Sequence, residues 1–244
     1  MSNVILVIII ALSQVIGLGG DVDSRLENAL KDELGERVQA VEVESHINKG
    51  SLLVKGKIAA IDFRLEGLYV KPVRIEEACF VVKDVRIRQE KVLLGKVEDC
   101  IRSIGDIAIR FTFLPDDLSQ ALEIKSELID EPEVIAEKGQ VIMRGRYRWG
   151  PLSLPFEVYG YLSYEGGSKI YYRISRVRMA GLGFPAGLKK KLEAELNPIF
   201  DLGEFNEKRR KEFKRCEGML GRELKVVITH IVVKEDRIIV TGSI

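Results

Sequence analysis

Apolar and polar residues alternate one by one over long stretches of this 244-residue chain. In the clearest stretch, Ile107, Ile109, Phe111 and Phe113 occupy every second position. Successive side chains of a β-strand point to opposite faces of a sheet, so this pattern predicts a strand with one buried face. Comparable patterns predict strands within residues 41–47, 52–63, 79–88, 134–179, 223–233 and 237–243.

Two of the predicted strands are less regular than the others. In 52–63 the alternation changes phase at Ile61, which indicates a β-bulge or a strand that is buried on both faces. In 79–88 the apolar residues that share one phase are Cys79, Val81, Val85 and Ile87. We expect these four side chains to face the core.

Helical patterns separate the groups of strands. Apolar residues recur every three or four positions in residues 24–34, 115–127 and 185–200, which is the spacing of one helix face. A charged insert follows the third helix at about 203–218. Because short turns join most of the strands, antiparallel pairing is predicted rather than parallel crossovers. We therefore predict an α+β fold in which a long, curved antiparallel sheet wraps on amphipathic helices.

The amino-terminal segment is apolar and carries no charged side chain before Asp21. Its unbroken apolar run and the small residues Gly17 and Gly19 are typical of a secretory signal, although no Lys or Arg precedes the run. An uncleaved anchor and a buried first strand or helix are the alternatives. The apolar stretch of about 15 residues is shorter than the roughly 20 that a membrane-spanning helix needs.

The resulting domain prediction has two parts. We expect residues 1–20 to be a signal peptide or an N-terminal membrane anchor, and residues 21–244 to form a single domain. Either function of the first segment places the domain outside the cytoplasm, in the cell envelope. The chain has 38 basic and 37 acidic side chains, so it lacks the basic excess that is usual in nucleic-acid-binding proteins. No nucleic-acid partner is predicted.

Motifs that carry catalysis are missing from the sequence. It has no G-x-S-x-G elbow, and its two histidines, His46 and His230, cannot form a histidine-rich metal site. The spacing of Cys79, Cys100 and Cys216 matches no metal-binding or redox motif. Two alternatives remain for these residues, namely a Cys79–Cys100 disulfide bond or three unpaired thiols. We predict a protein without catalytic activity, cofactor or metal, although an unfamiliar hydrolase built on carboxylates remains an alternative.

Four segments of the chain follow one another in an informative order and spacing. They are VEVESHINKGSLLVKGKIAAIDFRLEGLYV (41–70), LPDDLSQAL (114–122), FPAGLKKKLEAELNPIFDL (184–202) and LKVVITHIVVKEDRIIVTGSI (224–244). Together they resemble the LmeA-like phospholipid-binding family, which consists of bacterial envelope proteins related to the tubular lipid-binding superfamily. The charged insert at 203–218 and Pro115, where a capping hydroxyl is expected, depart from the family pattern.

The resemblance implies an apolar groove or tube, between a curved sheet and helices, that holds phospholipid acyl chains for transport or sensing. The expected lining is Ile109, Phe111, Phe113, Leu154, Phe156, Leu188, Leu192 and Leu196. The expected contacts with headgroups or the membrane surface are Lys208, Arg209, Arg210, Lys211, Lys214 and Arg215. Core packing is the simpler role for the first set, and a solvated helix or loop is the simpler role for the second. The alternative function is an envelope scaffold with a closed core that binds a protein partner.

Overall fold

A computed structural model of the chain describes residues 2–15, 21–48, 55–90, 100–125, 128–149, 151–165, 167–179, 186–202 and 210–244. The α-helices within these ranges are α1 (Ser2–Val15), α2 (Val22–Leu34), α3 (Pro115–Lys125), α4 (Ala186–Leu196) and α5 (Arg210–Leu220). The strands are β1 (Ala40–His46), β2 (Lys57–Val70), β3 (Val73–Ile87), β4 (Ile101–Ser103), β5 (Ile107–Phe113), β6 (Ile129–Glu137), β7 (Gln140–Trp149), β8 (Leu152–Tyr164), β9 (Lys169–Met179), β10 (Phe200–Asp201), β11 (Val227–Val233) and β12 (Ile238–Ser243).

The strands form two antiparallel sheets. The larger sheet has the order β1-β2-β3-β5-β12-β11, with β4 paired to the end of β3, and the smaller has the order β10-β9-β8-β7-β6. One sheet is strongly curled into a half-barrel. The predicted α+β class and the curved antiparallel sheet are therefore confirmed. The chain leaves the larger sheet after β5, builds the smaller one, and returns with its last two strands.

Apolar side chains cross the larger sheet in rows. The row that we name the central apolar row consists of Val43, Phe63, Phe80, Ile109, Gly242 and Ile228, each paired with the next across neighbouring strands. All of these residues are buried. On the opposite face, the guanidinium groups of Arg64 and Arg110 lie 2.9 and 3.2 Å from the carboxylate of Glu77. The larger sheet thus has an apolar inner face and a charged outer face.

The buried positions of β3 differ from those predicted. Phe80 and its neighbours two residues away face the core, whereas Cys79 and Val81 are only half-buried, so the predicted phase was wrong for this part of the strand. Burial changes phase at Asp84, which has a φ of 52°, and it also changes phase on the paired strand just before Ile61. The predicted irregularity near Ile61 is confirmed, and it explains why the later half of β3 follows the predicted pattern.

Cys79 lies on the outer face with a free thiol, so the Cys79–Cys100 disulfide bond is not formed in this structure. The Sγ atom of Cys79 is 3.4 Å from both Arg110 Nη2 and Glu77 Oε1. Burial raises the pKa of the Cys79 thiol, and the guanidinium group of Arg110 opposes that rise.

The predicted helices are present, with one error at a boundary. Helix α2 buries its leucine stripe and ends before Gly35, whose φ of 55° is easily adopted by glycine. Helix α4 ends at Leu196, so Phe200 lies in β10 rather than in a last helical turn. The reason is Pro198, because a proline disfavours helical geometry in the residue before it and cannot donate a backbone hydrogen bond.

Candidate functional site

Helix α1 lies inside the protein. The side chains from Val4 to Ile9, together with Ala11 and Leu12, are at most 4% exposed. Since successive residues of an α-helix point in directions about 100° apart, burial at consecutive positions means that the helix is covered on every side. Helices α2 and α5 contact α1, and all of its buried side chains belong to one continuous core with the central apolar row.

The burial of α1 corresponds to the alternative of a buried first helix. Among the helices of the described ranges, none combines the length and the apolarity that a membrane crossing requires. A signal or anchor function of residues 1–20 stays a prediction, as does a single domain over 21–244.

A second apolar compartment lies between the two sheets and α3. Its lining includes Val73, Phe113 and Val240 from the larger sheet, Met143 and Ile170 from the smaller sheet, and Leu118 and Leu122 from α3. The free volume is about 30 Å³, which is room for a water molecule or so. Pockets for drug-sized ligands measure about 300–1,000 Å³, so this compartment is too narrow for an acyl chain as it stands.

The predicted lining residues lie on different elements of the core and do not surround one common cavity in the described residues. Phe113 borders the small cavity and stacks on Phe200, with their ring centroids 5.1 Å apart. Ile109 and Phe111 are buried on the larger sheet, and Leu154 is only half-buried on the smaller one. The remaining described side chains, Phe156, Leu192 and Leu196, are buried, and the side chain of Leu188 lies outside the described residues. Their contact with lipid stays a prediction.

Two of the six predicted headgroup residues have described side chains. Lys214 and Arg215 are exposed on α5, whereas Cys216 and Leu220 of the same helix are buried. Lys208 and Arg209, and the side chains of Arg210 and Lys211, lie outside the described residues. Because α5 also contacts α1, the exposed cations lie on a helix that covers the buried apolar helix.

An ion pair that the sequence did not reveal fixes the start of α3. Asp117 is only 7% exposed, and its Oδ2 atom lies 3.1 Å from Arg74 Nη1. Burial raises the pKa of the Asp117 carboxyl, while the guanidinium group of Arg74 opposes that rise. The same Nη1 atom is 2.6 Å from Glu76. In the part of the chain that the structure describes, no three acidic, His or Cys side chains form a metal-binding group.

Tyr172 anchors the interior of the smaller sheet. It is among the largest fully buried side chains, and its hydroxyl oxygen lies 2.9 and 3.0 Å from the carbonyl oxygens of Val141 and Val158. Burial raises the pKa of Tyr172 far above its usual range. The ring passes over Gly160, where a Cβ atom would lie only 2.6 Å from the Cζ atom of the ring.

The sequence reasoning missed part of the inner face. Phe63 and Phe80 of the central apolar row were not among the predicted lining residues, although Phe80 pairs with Ile109, which was, and Phe63 pairs with Phe80. The length of their strands could have indicated these two residues. Two long neighbouring strands pair over many residues, so their inward-facing side chains lie in the same rows across the sheet. Leu118 and Leu122 were predicted on the apolar face of a helix but not beside a cavity.

A family model described as LmeA-like phospholipid-binding matches residues 16–243, which is nearly the whole chain. The chain belongs to this family. The LmeA-like family is a lipid-binding family rather than an enzyme family, and its ligand class is phospholipid. Comparisons with curated proteins and with solved structures found no significant match. The range shared with the LmeA-like family begins directly after α1.

Proposed function

We propose that this protein binds phospholipid outside the cytoplasm, in the cell envelope, and shelters the acyl chains without catalysing a reaction. The observation that carries the proposal is the central apolar row, which crosses six strands of the larger sheet in a chain of the LmeA-like family. Its apolar side chains face the same core as the inner helices. A wall of this kind offers acyl chains an apolar environment over its whole width.

The physical basis is hydrophobic transfer. Each CH₂ group that leaves water contributes roughly 0.8 kcal/mol, so a single acyl chain supplies a large driving force without an ion pair or a covalent bond. The headgroup then needs only polar partners at the entrance. Lys214 and Arg215 are exposed beside the core and fit this role, because basic side chains near a membrane attract anionic lipids by about 1 kcal/mol each.

Transport and sensing make different demands on such a protein. A carrier must release its lipid at a second membrane, whereas a sensor must change a surface that another molecule recognises when it is loaded. The apolar interior supports both, and the exposed cations of α5 favour a step at the membrane surface.

An envelope scaffold with a closed core is the second candidate, and the free volume of about 30 Å³ between the sheets favours it. In this function the apolar rows serve packing alone, and a protein partner binds on the surface. The two candidates differ in one measurable property, which is the uptake of phospholipid by the folded chain.

Native mass spectrometry on the delipidated full chain tests the proposal. After incubation with phosphatidylglycerol vesicles, we expect a mass increase of one or more whole phospholipid molecules. Ile109→Thr introduces a hydroxyl on the inner face and should reduce retention, whereas Ala108→Thr on the exposed face of the same strand should not. A folded protein that takes up no phospholipid would favour the scaffold.

A further inference from the structure

We propose that helix α1 occupies the acyl-chain site of this protein and is displaced from it when phospholipid binds. The proposal deepens the phospholipid binding proposed above, rests on it, and applies to a chain that retains residues 1–20 without a signal or anchor function. Helix and lipid are then alternative occupants of one apolar space, so the closed core described here is the unloaded state.

Enclosure is the first argument. Leu6 and Leu12 have no exposed surface, and every other described side chain from Val4 to Ile9 is at most 4% exposed. Withdrawal of α1 would therefore uncover a lined apolar space inside the protein rather than a flat surface. Helix α2 contacts α1, and its leucine stripe is buried in the same core.

The buried stretch of α1 is similar in length to an acyl chain in a bilayer. From Val4 to Leu12 it spans nine residues and is about 13 Å long. The hydrocarbon core of a bilayer is about 30 Å thick, so one leaflet of acyl chains extends over about 15 Å. The space that this stretch fills is about as long as an acyl chain in one leaflet, whereas the cavity of about 30 Å³ between the sheets is too small for one.

Helix α1 is held in place by the kind of force that would hold an acyl chain. Its sequence contains no charged residue, so its hold on the core depends on hydrophobic burial. The two acyl chains of a phospholipid are held by the same force and would cover part of the same walls. The free-energy cost of the exchange is therefore the difference between the burial free energy of α1 and that of the acyl chains.

The family match is an independent observation. It covers residues 16–243 and therefore includes the walls of the site but excludes α1. The range that the family shares therefore contains the walls of the site and leaves out the helix that fills it. Lys214 and Arg215 on α5 then lie beside the space that α1 would vacate, where an anionic headgroup would remain at the surface.

Hydrogen–deuterium exchange on the full chain tests the displacement directly. After phosphatidylglycerol has been loaded and the vesicles have been removed by centrifugation, we expect amides of α1 to lose protection, while those of the neighbouring helix α2 keep theirs. Unchanged protection of α1 in a protein that has demonstrably bound lipid would overturn the inference and leave the proposed function intact.

A matched pair of substitutions gives a second readout. Leu6→Asp in α1 and Leu26→Asp in α2 both place a carboxylate at a position with no exposed surface. If α1 is an exchangeable occupant, Leu6→Asp weakens its hold and raises phospholipid uptake several-fold, whereas Leu26→Asp damages the wall and lowers it. If both variants lose uptake, α1 is a fixed part of the core and the inference fails. Absence of uptake by the wild type and by both variants would instead reject the proposed function itself.

Discussion

The side-chain amide of Asn197 forms hydrogen bonds with both backbone polar groups of Tyr172. Its Nδ2 donates to the Tyr172 carbonyl oxygen at 3.0 Å, and its Oδ1 accepts from the Tyr172 amide at 2.6 Å. Asn197 follows the last residue of α4, and Tyr172 lies in β9, beyond the two residues of that strand that pair with β10. The side chain thus acts as a short piece of neighbouring strand and fastens α4 to the sheet.

Replacement of Asn197 should destabilise the protein. Asn197→Ala leaves two buried backbone groups of Tyr172 without their partner, and we expect the free energy of unfolding to fall by about 1–3 kcal/mol. Urea denaturation followed by circular dichroism measures this change. Lys189→Ala on the exposed side of α4 is the control and should change the free energy by no more than about 0.5 kcal/mol. Equal midpoints for the two variants would mean that the pair does not hold the helix.

Gly160→Ala should also destabilise the protein, for a steric reason. The added Cβ atom would lie 2.5 Å from the backbone carbonyl oxygen of Arg173 and 2.6 Å from the Tyr172 ring, and we expect a loss of about 1–3 kcal/mol. Gly187→Ala in α4 is the matched control, because its Cβ atom would meet nothing within 4 Å. Because Gly187 lies in the first turn of α4, that change should stabilise the helix by no more than about 0.5 kcal/mol. A thermal melt that shifts both variants in the same direction would contradict the packing around Tyr172.

The Arg74–Asp117 pair gives a prediction about pH. The pKa of Asp117 in the folded state lies above its ordinary value of 3.8, so proton binding favours folding, and this contribution declines as the pH rises through the folded-state pKa. Arg74→Gln removes the cation that opposes the shift and should raise that pKa further. We expect the variant to lose about 1–3 kcal/mol at neutral pH and less as the pH falls through that pKa.

The double variant Arg74→Gln with Asp117→Asn is the control for the pH prediction, because it has no carboxylate at position 117. Its loss of stability relative to Asp117→Asn should depend less on pH over the same range, because Glu76 is the carboxylate that remains beside position 74. Denaturant titrations of the four proteins at several pH values supply the comparison. A single variant whose loss is independent of pH would show that Asp117 does not respond to Arg74.

Charge reversal on α5 should weaken binding to anionic membranes without unfolding the protein. The double change Lys214→Glu with Arg215→Glu removes two exposed cations, each of which contributes about 1 kcal/mol near an anionic surface. Co-sedimentation with phosphatidylglycerol vesicles measures the effect, which should shrink as salt is added. The same reversal at Lys189 and Lys190, which are exposed on α4, is the control. Equal losses in both variants would indicate a nonspecific effect of net charge.

The buried faces were predicted correctly from the sequence where apolar residues occupy only one phase of the periodic pattern. In β5 the alternation of Ile107, Ile109, Phe111 and Phe113 matches burial at each of these positions, and the leucine stripe of α2 is buried as predicted. In β3 the run from Ala78 to Val82 contains apolar residues in both phases, so periodicity alone could not decide which set faces the core.

Other features depended on information that local patterns do not contain. An apolar run such as that of α1 fits a signal, a membrane and a protein core equally well, because all three offer an apolar environment. The predicted lining residues came from different elements whose packing is set by distant strand pairs, and the sequence did not show that Phe113 would meet Phe200. The Arg74–Asp117 pair depends on the same kind of long-range contact.

The pairing of Phe113 with Ile238 has a consequence for synthesis of the chain. The entire smaller sheet is translated between these two residues, so β5 remains an edge strand until the final hairpin has left the ribosome. Unpaired edge strands favour association with other chains, and distant pairings form slowly. We therefore expect nascent chains to rely on chaperones from the completion of β5 until the last hairpin emerges, and chains that lack this hairpin to aggregate.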